Sequence, residues 1–129
     1  MHFLFDNQYY IIYSIIDITV LEMMRLLYSI TAPLLDACVL GILAQGDSYG
    51  YALTQQARTA VDISESTLYP VLRRMQKEGL LETYDSPYLG RNRRYYRITP
   101  TGLDALAVYR DAWHGYRDGI DTLIGGEDL

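Results

Sequence analysis

The chain has 129 residues, which is enough for one domain of ordinary size and not for two. Half of the residues are hydrophobic and 21% are charged, so the composition excludes a disordered or collagen-like chain. The formal net charge of −5 argues at first against a nucleic-acid partner, because a phosphate backbone attracts positive charge.

The charge is, however, distributed unevenly along the chain. Residues 58–97 hold eight basic and five acidic residues, a local net charge of +3. The remaining residues hold three basic and eleven acidic residues, a net charge of −8. The middle of the chain is therefore basic and the flanks are acidic, so the overall charge does not exclude DNA as a partner.

Residues that could support catalysis or metal binding are few. Cys38 is the single cysteine, which excludes an internal disulfide and a cysteine-built zinc site and fits a reducing compartment. His2 and His114 lie at opposite ends of the sequence and make a poor metal site. The sequence has no glycine-rich phosphate loop and no GxSxG or HExxH motif. We therefore expect neither an enzyme nor a bound cofactor or metal.

Residues 1–30 differ in character from the rest, being apolar, aromatic and rich in β-branched side chains. They lack the basic start and the small-residue cleavage site of a signal peptide. Three charged residues interrupt the apolar run that a membrane span would need. We interpret this segment as an N-terminal extension rather than a functional module, with Met23 or Met24 as a natural start for the domain that follows.

Two short helices are predicted next. From Pro33 onward, apolar residues recur every three to four positions, which predicts a helix that ends at residues 45–47. A second helix is predicted over residues 49 to about 59. The candidate N-caps of the two helices are Thr31 for the first, and Asp47 or Ser48 for the second.

The third helix combines an apolar stripe with a polar, cationic face. Ser64 or Ser66 can cap its start, and Gly79 is the expected C-cap. The apolar stripe consists of Leu68, Val71, Leu72 and Met75. The polar face carries Thr67, Tyr69, Arg73, Arg74, Gln76 and Lys77. A helix of this kind can pack one face on its own domain and present the other to the DNA major groove.

A β-hairpin is predicted after the third helix. Its strands cover residues 80–84 and 93–99, and a turn-rich loop covers residues 85–92. Arginines lie at the tip and the base of the hairpin. Tyr95 and Tyr96 alternate sides of the second strand, so one belongs in the core, and the other is free for the DNA backbone or the preceding helix.

A long final helix of about 20 residues begins at Thr99 or Thr101 and ends at Gly125–Gly126. Its apolar stripe has little to pack against in so small a domain, which indicates an interface, and two-fold dimers are the commonest oligomers. The candidate dimer-interface residues are Leu103, Leu106, Trp113, Ile120 and Leu123. Four aspartates of this helix form a solvated acidic face: Asp104, Asp111, Asp118 and Asp121.

The order of three helices, a hairpin and a long helix is that of a winged helix-turn-helix. The predicted fold class is mainly α with a small β-hairpin. Residues 31–99 form the winged helix-turn-helix, and residues 100–129 form a C-terminal dimerisation helix and tail. The third helix is expected to enter the major groove, and the hairpin, or wing, to follow the DNA backbone. The candidate DNA-binding residues are Ser66, Thr67, Tyr69, Pro70, Arg73, Arg74, Lys77, Arg91, Arg93 and Arg94.

Five segments together carry a resemblance to a known family: Gly50–Leu53 (GYAL), Ser66–Met75 (STLYPVLRRM), Glu78–Leu80 (EGL), Gly90–Thr99 (GRNRRYYRIT) and Gly102. They resemble the PadR family of transcriptional regulators over about residues 32–124. The second and fourth segments are quite specific in combination. The chain departs from the family at residues 48–49, where many members have Pro-His, and residues 1–22 have no family counterpart.

The resemblance implies a bacterial repressor that dimerises through its C-terminal helix and binds a double-stranded DNA operator with dyad symmetry. Family members often regulate their own gene and a neighbouring detoxification or efflux gene. Their repression is often relieved by a small, frequently aromatic, ligand. The single C-terminal helix resembles the short-tailed branch of the family. Trp113 lies at the position where members of that branch carry a tryptophan on the dimer helix.

The sequence also indicates roles for the single residues Cys38 and Trp113. Cys38 is expected to be a buried structural thiol rather than a redox sensor. Trp113 is expected to pack in a core or dimer interface, and the alternative is a place in an effector pocket.

The function predicted is that of a cytoplasmic, homodimeric DNA-binding regulator with no membrane partner. The alternative is a winged-helix module that binds an acidic protein and no specific DNA.

Overall fold

A computed structural model describes residues 30–125 of the chain. Its elements are α1 (Ala32–Ala44), β1 (Ser48–Tyr49), α2 (Gly50–Ala57), α3 (Glu65–Lys77), β2 (Leu81–Tyr88), β3 (Arg91–Ile98) and α4 (Pro100–Ile124). The proposed extension lies outside the described residues except for Ile30, which packs against the core. The residues after 125 also lie outside. None of the helices within residues 30–125 is long and apolar enough to cross a membrane.

The first helix, α1, supplies one wall of the core. Thr31 occupies its N-cap position without a side-chain capping bond, and Pro33 lies in its first turn. Val39 and Leu40 are fully buried at the centre of its inner face. Cys38 lies at the edge of that face and is only half-buried, so the prediction of a buried thiol is wrong in degree. Burial raises the pKa of this thiol, which disfavours the reactive thiolate.

The second helix is shorter than predicted, because Ser48 and Tyr49 form a strand instead of its first turn. They pair antiparallel with Tyr96 and Tyr95 of β3, far along the chain. A two-residue strand has no detectable periodicity in the sequence, so the prediction of a helix from Tyr49 is wrong. The helix α2 buries three side chains along one face: Leu53, Thr54 and Ala57.

The third helix, α3, begins and ends as predicted. The Ser64 hydroxyl caps it by accepting from the Thr67 backbone N–H, at 3.3 Å. Gly79 follows its end with φ of +78°, and the Leu80 N–H donates to the Met75 carbonyl at 2.9 Å, a Schellman-type ending. The buried face holds Leu68, Leu72 and Met75, with Val71 half-buried beside them.

The wing, formed by β2 and β3, is longer than the sequence predicts. Its strands pair from Leu81 opposite Ile98 up to Tyr88 opposite Arg91, and only Leu89 and Gly90 form the turn. Both turn residues have positive φ, 51° and 79°, as a type I′ hairpin turn requires. The predicted loop over residues 85–92 is therefore wrong, because strand pairing overrides the local turn preference of these residues. The strand order β1-β3-β2 leaves β2 at an edge, where Pro87 is tolerated.

The last helix, α4, has a packed half and a protruding half. Thr99 caps it by accepting from the Gly102 N–H at 3.0 Å, and Gly125 ends it with φ of 80°. Gly102 and Leu106 are buried against the domain. Every residue from 110 to 125 is exposed. The fold therefore presents one compact core and one long helix that extends beyond it.

Candidate nucleic-acid interface

The outer face of α3 presents two basic side chains that are available to a ligand. Arg73 and Lys77 lie one turn apart and are exposed. Neither side chain forms an ion pair within residues 30–125. Pro70 lies one turn before them and is also exposed. Since the opposite face of the helix is buried, the helix backbone that carries these residues is fixed on the domain, with their side chains at the surface.

The start of α3 carries a cluster of hydroxyl groups. The Ser64 hydroxyl lies 2.9 Å from that of Ser66 and 3.1 Å from that of Thr67. Ser66 and Thr67 are both exposed. Free backbone N–H groups and hydroxyls at a helix N-terminus are well suited to contact a phosphate group. The structure thus brings the two predicted residues together at the end of the helix opposite to Lys77.

Tyr69, another candidate DNA-binding residue, is half-buried between α3 and α2. A Cβ atom at Gly50 would lie 2.6 Å from its ring, so the ring packs closely on the Gly50 backbone. Its hydroxyl donates to the Glu65 carboxylate at 3.1 Å. Burial and this hydrogen bond raise the pKa of Tyr69. The side chain is therefore engaged in joining the two helices of the helix-turn-helix.

Arg74 is engaged with other parts of the domain, although its side chain is 43% exposed. Its guanidinium donates to the Asp36 carboxylate of α1 at 2.6 Å and to Glu78 at 3.1 Å. The Asp36 side chain is only 7% exposed. Hydrogen bonds to Asp36 first, and to Glu78 second, raise the pKa of Arg74. The structure therefore separates two neighbouring arginines that the sequence analysis assigned to the same surface.

Arg93, in the middle of the wing, is enclosed by aromatic rings. Its guanidinium carbon lies 3.6 Å from the centre of the Tyr49 ring and 3.8 Å from that of Tyr88. Its Nε and Nη2 both donate to the Tyr95 hydroxyl, Nε at 3.1 Å. That hydrogen bond raises the pKa of Arg93. Cation–π contacts with two rings hold this arginine in place as a brace between the wing and β1.

Arg97 is a second brace, and the sequence analysis did not single it out. It pairs with Asp47 at 3.2 Å and with Glu82 at 3.5 Å, and it lies 4.6 Å from the centre of the Tyr84 ring. The Tyr84 hydroxyl also donates to Asp47, at 2.7 Å. Asp47 is too distant in sequence for any local pattern to have indicated this cluster. Its ion pairs are half-exposed, so they position the wing more than they stabilise the fold.

The tip of the wing keeps two exposed arginines. Arg91 forms no ion pair within residues 30–125, and Arg94 lies 3.7 Å from Asp85 in an open, weak pair. Tyr96, on the inner face of β3, is buried in the core as one of the two tyrosines was expected to be. The wing therefore uses Arg93 and Arg97 for internal bracing and leaves Arg91 and Arg94 more exposed.

The candidate dimer-interface residues on α4 have two different environments. Leu106 is 6% exposed and belongs to the core of its own domain. The other four remain exposed in the single chain: Leu103, Trp113, Ile120 and Leu123. Further exposed apolar side chains on this helix, which the sequence analysis did not name as candidates, are Val108, Tyr116 and Ile124.

A groove of about 670 Å³ lies beside the middle of α4. Its lining includes Tyr109, Trp113 and Tyr116 from α4, Leu34 from α1 and Val61 from the segment after α2. The Trp113 and Tyr116 rings are 6.3 Å apart between centres. The groove is thus mainly apolar and aromatic. Within residues 30–125, no three side chains of His, Cys, Asp or Glu are grouped so that they could hold a metal ion.

Comparison with known proteins identifies relatives of this fold. The family model described as "Transcriptional regulator PadR-like family" matches residues 39–108. Transcriptional regulator Rv3488 of Mycobacterium tuberculosis is 41% identical over 70 residues, which cover 54% of this chain and 65% of that protein. An uncharacterized protein of Lysinibacillus sphaericus is 32% identical over 97 residues, covering 71% of this chain and 89% of that one.

Solved structures agree with this assignment. The crystal structure of smu.1704 from Streptococcus mutans matches with a TM-score of 0.73 at 37% identity, covering 77% of this chain and 93% of that chain. A PadR-like transcriptional regulator from Bacillus cereus matches with a TM-score of 0.66 at 36% identity, covering 72% and 93%. These matches confirm the predicted winged-helix fold, and the family's members are regulators rather than enzymes. The chain belongs to the PadR-like family and is a DNA-binding transcriptional regulator.

Proposed function

We propose that the chain is a homodimeric repressor that binds a double-stranded operator with dyad symmetry in the cytoplasm. The observation that carries this proposal is the outer face of α3, where Arg73 and Lys77 are exposed and form no ion pair with any of residues 30–125, while the opposite face is buried. A phosphate backbone attracts such unpaired charges, and a helix held on one side can present them to a groove.

Each subunit contributes two contact regions to the proposed complex. Helix α3 enters the major groove, with Ser66 and Thr67 at its start and Lys77 at its end. The exposed arginines at the wing tip, Arg91 and Arg94, contact the flanking backbone. Two copies of α3 reach successive major grooves, about 34 Å apart, which requires a two-fold operator. Arg74, Arg93 and Tyr69 act mainly by holding these elements in place.

The proposed dimer forms through α4. In this proposal residues 31–99 are the DNA-binding domain, and residues 100–129 are the dimerisation helix and tail. The protruding half of α4 exposes Trp113, Ile120 and Leu123. Trp113 and Ile120 continue the face that Leu106 begins, because seven residues make two turns of a helix. A second copy of α4 would bury these side chains, whereas Leu106 serves the core of its own subunit.

The groove beside Trp113 is the candidate effector site. Its aromatic and apolar lining suits a small, planar, aromatic ligand, and its volume lies within the range of ligand pockets. A ligand there would change how α4 sits on its own domain and so the spacing of the two α3 helices. Quenching of Trp113 fluorescence by a panel of planar aromatic compounds tests this. If no compound in a broad panel quenches it, Trp113 is a packing residue.

The target genes follow from the same proposal. We propose that the protein represses its own gene and a neighbouring one. A reporter fused to each upstream region, measured with and without the protein, tests this. Expression that falls in the presence of the protein supports repression, and expression that rises identifies an activator.

DNA binding itself is tested by a gel-shift titration with a duplex from upstream of the chain's own gene, together with selection from a random duplex library. We expect the affinity to fall steeply with salt, because binding releases counterions from the DNA. Arg73→Ala and Lys77→Ala should each reduce the slope of log affinity against log salt by about 1. Arg73→Lys, which retains the charge, should retain the slope.

Two controls separate the contact residues from the rest. Arg110→Ala removes an exposed charge from α4 and should leave the salt slope unchanged. Arg91→Ala is a cleaner test of the wing than Arg93→Ala, since Arg93 is also the brace between Tyr49 and Tyr88. A protein that selects no duplex from the library would overturn the proposal and favour the alternative module that binds an acidic protein.

A further inference from the structure

Asp36 is a buried carboxylate that the contacts described for DNA do not use. It lies on the inner face of α1 and is 5% exposed. Within residues 30–125 it is the only charged residue that is buried. A carboxylate in such a place is costly unless a partner compensates its charge, so its partner is held there strongly.

That partner is Arg74 of α3, at 2.6 Å. Arg74 directly follows Arg73 and lies one turn before Glu78, to which it also donates. A planar guanidinium that is held at two points has little freedom to move. This pair therefore links α3 to α1 on a side of α3 that its buried residues Leu68, Leu72 and Met75 do not cover, and so restrains the rotation of α3 about its own axis. The rotation sets the direction in which Arg73 and Lys77 point.

A third helix meets the pair at the same place. Tyr109 of α4 is half-buried against the core and lines the groove beside Trp113. Burial raises the pKa of Tyr109, and the negative charge of Asp36 raises it further, while Arg74 opposes this. The Asp36–Arg74 pair thus joins α1 to α3, and α4 packs against the same helix α1.

We propose that Asp36 is a positioning residue for DNA recognition, which through Arg74 sets the orientation of α3 in the major groove. The inference rests on the proposed function, because it concerns how α3 reads DNA. Base contacts require accurately placed donors, whereas attraction to phosphates requires only nearby charge. Asp36 therefore acts on sequence-specific binding and hardly on non-specific binding.

The variant Asp36→Asn separates positioning from simple electrostatics, because the two predict opposite changes. Removing an acid and releasing Arg74 would strengthen DNA binding if charge alone mattered. A loss of orientation instead weakens binding to the selected duplex about fivefold or more, the size of one misplaced base contact. Affinity for a shuffled duplex of equal length stays unchanged or rises. Equal or tighter binding of Asp36→Asn to the selected duplex overturns the proposal.

Two further variants keep the test decisive. Arg74→Lys retains the charge of α3 but cannot donate in a fixed plane to Asp36 and Glu78 together. Arg74→Lys should lower the ratio of specific to non-specific affinity in the same way. If circular dichroism shows that Asp36→Asn is unfolded, Arg74→Lys alone tests the proposal. An unchanged ratio overturns the proposal. Glu78→Gln is the matched control: the Gln amide oxygen can still accept from Arg74 and only an exposed charge is lost, so the ratio should stay as in the unmodified protein.

The experiment distinguishes failure of the proposed function from failure of the proposed role of Asp36. If the unmodified protein binds no duplex specifically, the proposed function fails and the role of Asp36 fails with it. If the unmodified protein prefers the selected duplex and a folded Asp36→Asn or Arg74→Lys variant retains that preference unchanged, only the role of Asp36 fails.

Discussion

The two halves of α4 have the same apolar periodicity and opposite environments. Leu106, in the first half, is 6% exposed and packs in the core of its own domain. Trp113 and Ile120 lie on the same face one and two heptads later, and both remain exposed. The periodicity is a property of the helix, whereas burial depends on what lies opposite. An apolar face that continues past the domain indicates a partner outside the single chain.

The largest expected effect is in the packed region. Leu40 of α1 is fully buried, so Leu40→Ala should lower the free energy of unfolding by about 2–5 kcal/mol through lost burial and a cavity. Urea denaturation measures this. Leu123→Ala, at a leucine that is 84% exposed, is the matched control and should cost about 0.5 kcal/mol or less at protein concentrations too low for association. Similar losses for both variants would contradict the division of the molecule into these two regions.

The next effect is in the protruding half. Trp113→Ala should weaken the proposed dimer by about 2 kcal/mol or more, about thirtyfold in the dissociation constant, because interface tryptophans are often hot spots. Sedimentation equilibrium over a range of micromolar concentrations measures it. Val108→Ala changes an exposed apolar residue on another side of the same helix and should leave the dimer intact. A protein that is monomeric throughout would remove the dimer from the proposal.

Glycine substitutions compare the halves within one helix. A Cβ atom at Gly102 would overlap the backbone carbonyl of Leu80 and lie 2.7 Å from Ile98, so Gly102→Ala should destabilise the fold by about 1–3 kcal/mol. A Cβ atom at Gly115 would meet no other atom of residues 30–125 within 4 Å. Gly115→Ala should therefore stabilise the helix by about 0.5–1 kcal/mol through its higher helix propensity. Thermal melts of both variants give the signs, and equal signs would contradict the packing of α4.

The smallest expected effect is a loss of stability at alkaline pH that arises in the packed region. The pKa values of Tyr69 and Tyr109 are raised, mainly by burial. The unfolded chain therefore loses these protons first, at about pH 10, and the fold loses stability as the pH rises from there through the folded pKa values. Below about pH 10 their contribution is fully present. Urea unfolding at pH 9 and pH 11 measures the loss, and Tyr69→Phe should reduce it. No difference between the two proteins would contradict the role of Tyr69.

The charge of the basic middle segment, residues 58–97, predicts only part of what the structure presents at the surface. It predicted a cationic surface, and the structure presents exposed cations on α3 and at the wing tip. Arg74, Arg93 and Arg97, however, are engaged in contacts with distant parts of the domain. Their partners Asp36, Tyr49 and Asp47 come from the start of the domain, so no window of sequence contains both members of a pair. The sequence therefore overestimates the charge that is free to meet DNA.

What the sequence alone determined are the features that depend on neighbours within a few positions. A cap at Ser64 or Ser66, the Gly79 ending, the apolar stripe of α3 and a cap at Thr99 or Thr101 all follow from local hydrogen bonds and helical spacing, and the structure selects Ser64 and Thr99. The order of these elements, with the family motifs, led to the winged-helix regulator. Local signals were sufficient there because each such contact closes within about one or two helical turns.

The tertiary structure alone decided the strand β1, the full length of the wing and the position of Arg74 opposite Asp36. Strand pairing and ion pairing act between segments that are distant in the chain, and a sequence window does not show which segments meet. The same reason explains why Leu106 and Ile120, on one face of one helix, differ in burial. Periodicity shows that a face is apolar, and only the folded chain shows what covers it.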